Sequence, residues 1–214
     1  MKDHKMTIDT TLPLSPSRRM PWNLFIFVAL ACTTVVFGSL TIWTDPVEGW
    51  LHAARYTARL SFPIFLTAFL ASSLAYWLPS ETTRWLRANR RYLGLSFAFA
   101  HFVHLGALIT YLNLSGDNSR SLQTFLGGGG AYVMIALMAL TSNNWSQRTL
   151  GPKAWGWLHW FGVYYIWFIF TFSYLGRVTK DVPQEPRIIY ITLFGLAVTA
   201  LLVRIATRIA KRRA

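Results

Sequence analysis

Three histidines stand in stretches of the sequence that are otherwise almost free of ionisable side chains: His101, His104 and His159. Ionisable groups inside long apolar segments are costly to bury and are functional candidates by default. His101 and His104 are spaced i, i+3, which places them on one helical face, ~4.5 Å apart along the axis. His159 follows Lys153 by six residues, ~9 Å along an ideal helix. A neutral imidazole on each of two facing helices can hold a b-type heme, because two nitrogens fill the axial positions of the iron while hydrocarbon surrounds the porphyrin. Spacing alone leaves His101 and His104 equally good partners for His159. Gly106 and Gly162 would relieve crowding beside a flat ring, and Phe97, Phe99, Phe102, Trp160, Phe161 and Tyr164 would wall it. Arg87, Arg90 and Arg91 before one histidine segment, and Arg148 and Lys153 before the other, are placed to neutralise heme propionates. The same cations also serve as topology determinants.

A second chemistry competes with the first. Membrane histidines also act as interhelical hydrogen-bond donors, which would make the chain a heme-free scaffold or a small-solute permease. The interiors of the apolar stretches hold almost no Asp, Glu, Lys or Arg, and that absence weighs against a proton-coupled transporter. The single cysteine, Cys32, excludes an intrachain disulfide and any thiolate cluster held by one chain. His52, next to Trp50 between two apolar stretches, reads as an interfacial residue, and His4 belongs to a polar tail.

The elements that would position these histidines follow from composition. The 214 residues are 53% hydrophobic and 14% charged, against about 25% charged in a soluble domain, so the chain is expected to be an all-α integral membrane protein. A spanning helix needs about 20 mostly apolar residues, and six stretches approach this: Trp22 to Trp43, Ser61 to Leu78, Tyr92 to Leu112, Phe125 to Thr141, Ala154 to Leu175 and Ile188 to Val203. Fifteen of the 21 Lys and Arg fall on one side of these spans and six on the other, which also holds five of the eight acids. The positive-inside rule then predicts a six-helix transmembrane bundle with both termini cytoplasmic; the expected location is a bacterial inner membrane. The third and fifth spans both start at the cytoplasmic face and are expected to present their imidazoles at comparable depth. The organisation predicted is a cytoplasmic tail over residues 1–21, the bundle over 22–208 and a basic tail over 209–214. Membrane lipid accounts for the net charge of +13, and no basic folded domain for nucleic acid is expected. No Gly-rich dinucleotide fingerprint follows the last span.

Two segments carry a family likeness. Arg90-Arg91-Tyr92-Leu93-Gly94-Leu95 running on to His104 resembles the third helix of the ferric reductase-like transmembrane domain family. Thr149-Leu150-Gly151-Pro152-Lys153-Ala154-Trp155 followed by Leu158-His159 is similar to the start of that family's fifth helix. The resemblance implies an electron conduit across the membrane with heme b as cofactor, His104 rather than His101 as the third-helix ligand and His159 as the fifth-helix ligand. It also implies a separate flavin reductase or quinol as donor and an outer-face acceptor. Larger members carry a second histidine pair, and the corresponding positions here are Asn118 and Phe172. One heme per chain is therefore expected, with a flavin or quinone as the alternative carrier for the remaining distance.

Overall fold

The computed structural model describes residues 22–116, 122–179 and 185–213, with side chains described throughout except over 122–125. Among the described residues the chain forms seven helices and no strand: α1 (Trp22–Ile42), α2 (Pro46–Trp77), α3 (Glu81–Ala88), α4 (Arg90–Ser115), α5 (Leu122–Leu140), α6 (Asn144–Thr179) and α7 (Arg187–Arg213). Four of them, α1, α2, α4 and α7, are long and apolar enough to cross a membrane. The chain is an all-α integral membrane protein. The apolar part of α5, Leu126–Leu140, is shorter, and the many Trp and Tyr of α6 lower its hydropathy although it has 36 residues.

Helix α2 begins well before the apolar run that announces it. Asp45 caps it by accepting the Glu48 amide at 3.0 Å, and Pro46 occupies the first turn, where a missing N–H costs nothing. The segment around Trp50 and His52 is therefore helical. His52 is buried there and stacks on Trp43, with ring centroids 3.8 Å apart, on a helix and not in a connection between two spans. Short α3 starts on a capping box between Ser80 and Thr83. Helix α6 breaks at Gly151, whose φ of 76° and ψ of 156° lie in a region that only glycine occupies readily, with Pro152 following. The first turns of α6, up to Leu150, are thereby set at an angle to the long segment that carries His159.

Helix α2 is the hub of the packing, with α1, α4 and α7 against it, while α6 joins α5 and α7. Phe62, Phe65 and Phe69 project from one face of α2 into a cluster with Phe97, Ile135, Ile166, Phe170 and Tyr174, all buried. Close approach of α5 and α6 depends on Gly162, where a Cβ would lie 2.5 Å from the Met138 sulfur. One end of the bundle is basic and carries α3, the α5–α6 turn and the end of α7. The opposite end carries Glu185, buried against Arg55, Arg59 and the Tyr190 hydroxyl. The expectations placed on the tail over residues 1–21 and on Asn118 lie outside the described residues.

Candidate functional site

The basic end of the bundle carries a partly open cavity of about 540 Å³, within the range of small-molecule sites. Its walls combine three kinds of group. Phe65 and Phe69 of α2, Phe97 of α4 and Trp155 and Trp160 of α6 supply aromatic surface; Ser142, Asn143 and Gln147 supply neutral polar groups; Arg87, Arg90, Arg91 and Arg204 supply positive charge. His159 completes the lining, and no Asp or Glu belongs to it.

His159 is held from two sides. Its ring stacks on Trp155, with centroids 4.1 Å apart, and its Nε2 lies 3.1 Å from the Thr141 hydroxyl at the end of α5. Thr141 already donates to the Leu137 carbonyl at 2.7 Å, so the network assigns the hydrogen to Nε2 and leaves Nδ1 as the lone-pair nitrogen. Arg91 donates to the Asn144 side-chain oxygen at 3.0 Å, bracing the α5–α6 turn across the mouth.

His101 and His104 stand elsewhere. His101 is buried and its Nδ1 lies 3.0 Å from the Ser61 hydroxyl of α2, which itself donates to the Ala58 carbonyl. Its ring meets Phe170 at 5.3 Å, Tyr132 at 5.0 Å and His104 at 5.1 Å. Two helices measure the offset of this cluster from His159. On α5, Tyr132 touches His101 and Thr141 touches His159, nine residues apart in sequence or ~13 Å along the axis. On α6, Phe170 touches His101 and stands eleven residues beyond His159, ~16 Å. His104 lies a further turn from the basic end on α4. A single iron with two imidazole bonds of about 2 Å each needs its two nitrogens about 4 Å apart. The expected His104–His159 clamp is therefore not assembled, nor is the alternative with His101, and a bis-imidazole heme does not fit this arrangement. The donor set of the cavity does fit a heme b held on one imidazole, because guanidiniums for its carboxylates and aromatic faces for its ring converge on His159.

The other expected site residues divide in the same way. Arg91 lines the cavity; Arg148 and Lys153 are exposed and lie outside its walls, with Gln147 in the place expected for the former. Phe97 and the half-exposed Trp160 line it, whereas Phe99 packs on Phe25 of α1 and Phe102 and Phe161 lie outside its walls. Gly162 faces methionines of α5, and Gly106 faces open space. Sequence reasoning missed Arg204, which it used only as one of the fifteen cations that set the orientation. Its spacing from Arg208 and Lys211, i+4 and i+7, was the available signal, since it puts the three on one face of α7. Arg204 donates to the Phe69 carbonyl at 2.9 Å, and Lys211 sits over the Tyr76 ring, so that face meets α2.

Comparison with known proteins adds no relative: no family model, no curated protein and no solved structure matches the chain.

Proposed function

We propose that the chain is a six-span electron-transfer subunit of a bacterial inner membrane, both termini cytoplasmic, whose cytoplasmic-side cavity holds one heme b through His159. The observation that carries this reading is the composition of the cavity: one imidazole, four guanidiniums and a wall of aromatic rings, with no carboxylate. Heme bound there supplies a one-electron carrier. The residues of the chain hold it in place. His159 would supply the iron-ligating nitrogen, Phe65, Phe97, Trp155 and Trp160 would flank the ring, and Arg91 with its neighbours would balance the propionates. The positive side of the chain gives the orientation, with a cytoplasmic flavin reductase or quinol as donor and an outer-face acceptor. The resemblance of the segments around His104 and His159 to the ferric reductase-like family supports the same activity, with the ligand set reduced to one histidine.

A second reading, a heme-free scaffold or permease, is favoured by the hydroxyl partners of the two histidines. His101 is engaged by Ser61 of α2 and His159 by Thr141 of α5, as interhelical hydrogen bonds would require. Purification after expression with ample heme separates the two. A Soret band lost in His159→Ala and kept in His104→Ala supports the first; absence of any Soret band supports the second.

A further inference from the structure

The cavity holds more positive charge than the described residues around it balance. Four acids lie among the described residues: Asp45, Glu48 and Glu185 at the opposite end, and Glu81 at the start of α3, outside the cavity walls. The ion pairs among the described residues join Arg55 and Arg59 to Glu185, away from the cavity. Arg204 is the best fixed of the cavity cations. Its guanidinium donates to the Phe69 carbonyl and lies over the Phe69 ring at 4.2 Å and the Tyr164 ring at 5.0 Å. Arg90 of α4 donates to the Ser72 hydroxyl at 3.3 Å. Phe69 and Ser72 are three residues apart on α2, ~4.5 Å along its axis. Cations from α7 and α4 are thus hooked to neighbouring points on a third helix, with aromatic faces and neutral oxygens as their partners.

We infer that Arg204, with Arg90 beside it, is the anchor for an anionic oxygen group, carboxylate or phosphate, borne by an apolar ligand seated in the cavity. The inference deepens the reading of the cavity as a heme site by naming what recognises the ligand's charged end. Two guanidiniums in fixed positions attract each other's counter-ion, and a carboxylate or phosphate between them accepts charge-assisted hydrogen bonds from both. The aromatic walls require that the rest of the ligand be apolar, which excludes a small inorganic anion as the fitted occupant. A porphyrin propionate and the phosphate of an anionic lipid share this chemistry.

The test uses metal-free protoporphyrin IX and its dimethyl ester, titrated into the purified full chain in neutral detergent and followed by porphyrin emission. Without iron, binding does not depend on ligation by His159, so this result and the Soret result stand apart. The free acid is expected to bind roughly tenfold or more tighter than the diester, the scale of one charged hydrogen bond. Arg204→Gln should reduce that preference severalfold, with unchanged helical circular dichroism in detergent showing that the variant is folded. Arg204→Lys should keep part of the preference, and Arg84→Gln, on exposed α3 outside the cavity, should keep all of it. Displacement of the acid by short-chain phosphatidylglycerol identifies lipid phosphate as an occupant of the anchor; no displacement assigns the anchor to carboxylates. Equal affinity for acid and diester, failure of both to bind, or an undiminished preference in Arg204→Gln would overturn the inference.

Discussion

Replacing Glu185 by Gln tests how the far end of the bundle is held. The Glu185 carboxylate is 4% exposed and faces Arg59, with which it makes a direct hydrogen bond, and Arg55, whose Nη1 lies 3.9 Å from the other oxygen. At 3.9 Å the gross attraction is about 4 kcal/mol for an effective dielectric of 20, and desolvation of the ions offsets much of it. Removing the carboxylate leaves two guanidiniums close together without their counter-charge, a change that typically costs about 3–5 kcal/mol. Gln retains an acceptor for Tyr190, so the lower end, about 3 kcal/mol, is expected. Arg59→Met should cost nearly as much, since Arg59 also donates to the Tyr190 hydroxyl at 3.1 Å. Arg55→Met should cost about 1 kcal/mol, the size of an ion pair without a hydrogen bond. Equilibrium unfolding in mixed micelles, followed by tryptophan emission, measures all three and the coupling between Glu185 and each arginine. A cost for Glu185→Gln under 1 kcal/mol, or equal coupling to both arginines, would refute the assigned geometry.

Other consequences concern the cavity and its framework. Thr141→Ala removes the hydroxyl that accepts the His159 Nε2–H and fixes Nδ1 as the free nitrogen, and should weaken iron binding by severalfold, measured as a faster transfer of heme to apomyoglobin. Gly151→Ala places a Cβ on a backbone conformation that only glycine tolerates, which should cost about 1–3 kcal/mol in the same unfolding assay and weaken heme retention by shifting Gln147 at the rim. Gly162→Leu sets a side chain where Met138 packs and forces that thioether aside, and should destabilise the α5–α6 contact by about 1–3 kcal/mol. Full stability in Gly162→Leu would contradict the close packing described.

The apolar runs in the sequence located the helices because hydropathy is the property that drives them into a bilayer, but it hid helix that is not apolar. Arg55, Arg59 and Glu48 interrupt the hydropathy of α2, so its first four turns read as a loop. The signal for them was the Asp45-Pro46 start with Glu48 three residues on, a capping pattern independent of hydrophobicity. The site was legible in part. His159, Arg91, Phe97 and Trp160 were expected together and line one cavity, whereas His101 and His104 were placed with them by an expectation of equal depth in parallel spans, the likeness of motifs only choosing between the two. Counting from the flanking charges already separates the two levels: His104 lies thirteen residues beyond Arg91 and His159 six beyond Lys153, a difference of ~10 Å in parallel helices. Arg204 escaped because charges at the end of a span are ordinarily topology signals, and only the packing of α7 on α2 turns this one inward.

The most direct test of the central claim is the absorption spectrum of the purified chain, reconstituted with hemin and compared across His101→Ala, His104→Ala and His159→Ala. One heme on one imidazole predicts a Soret band of five-coordinate, high-spin iron at one heme per chain, kept in the first two variants and lost in the third. A low-spin bis-imidazole spectrum that disappears in His104→Ala, or no heme bound to the unaltered chain, would contradict it.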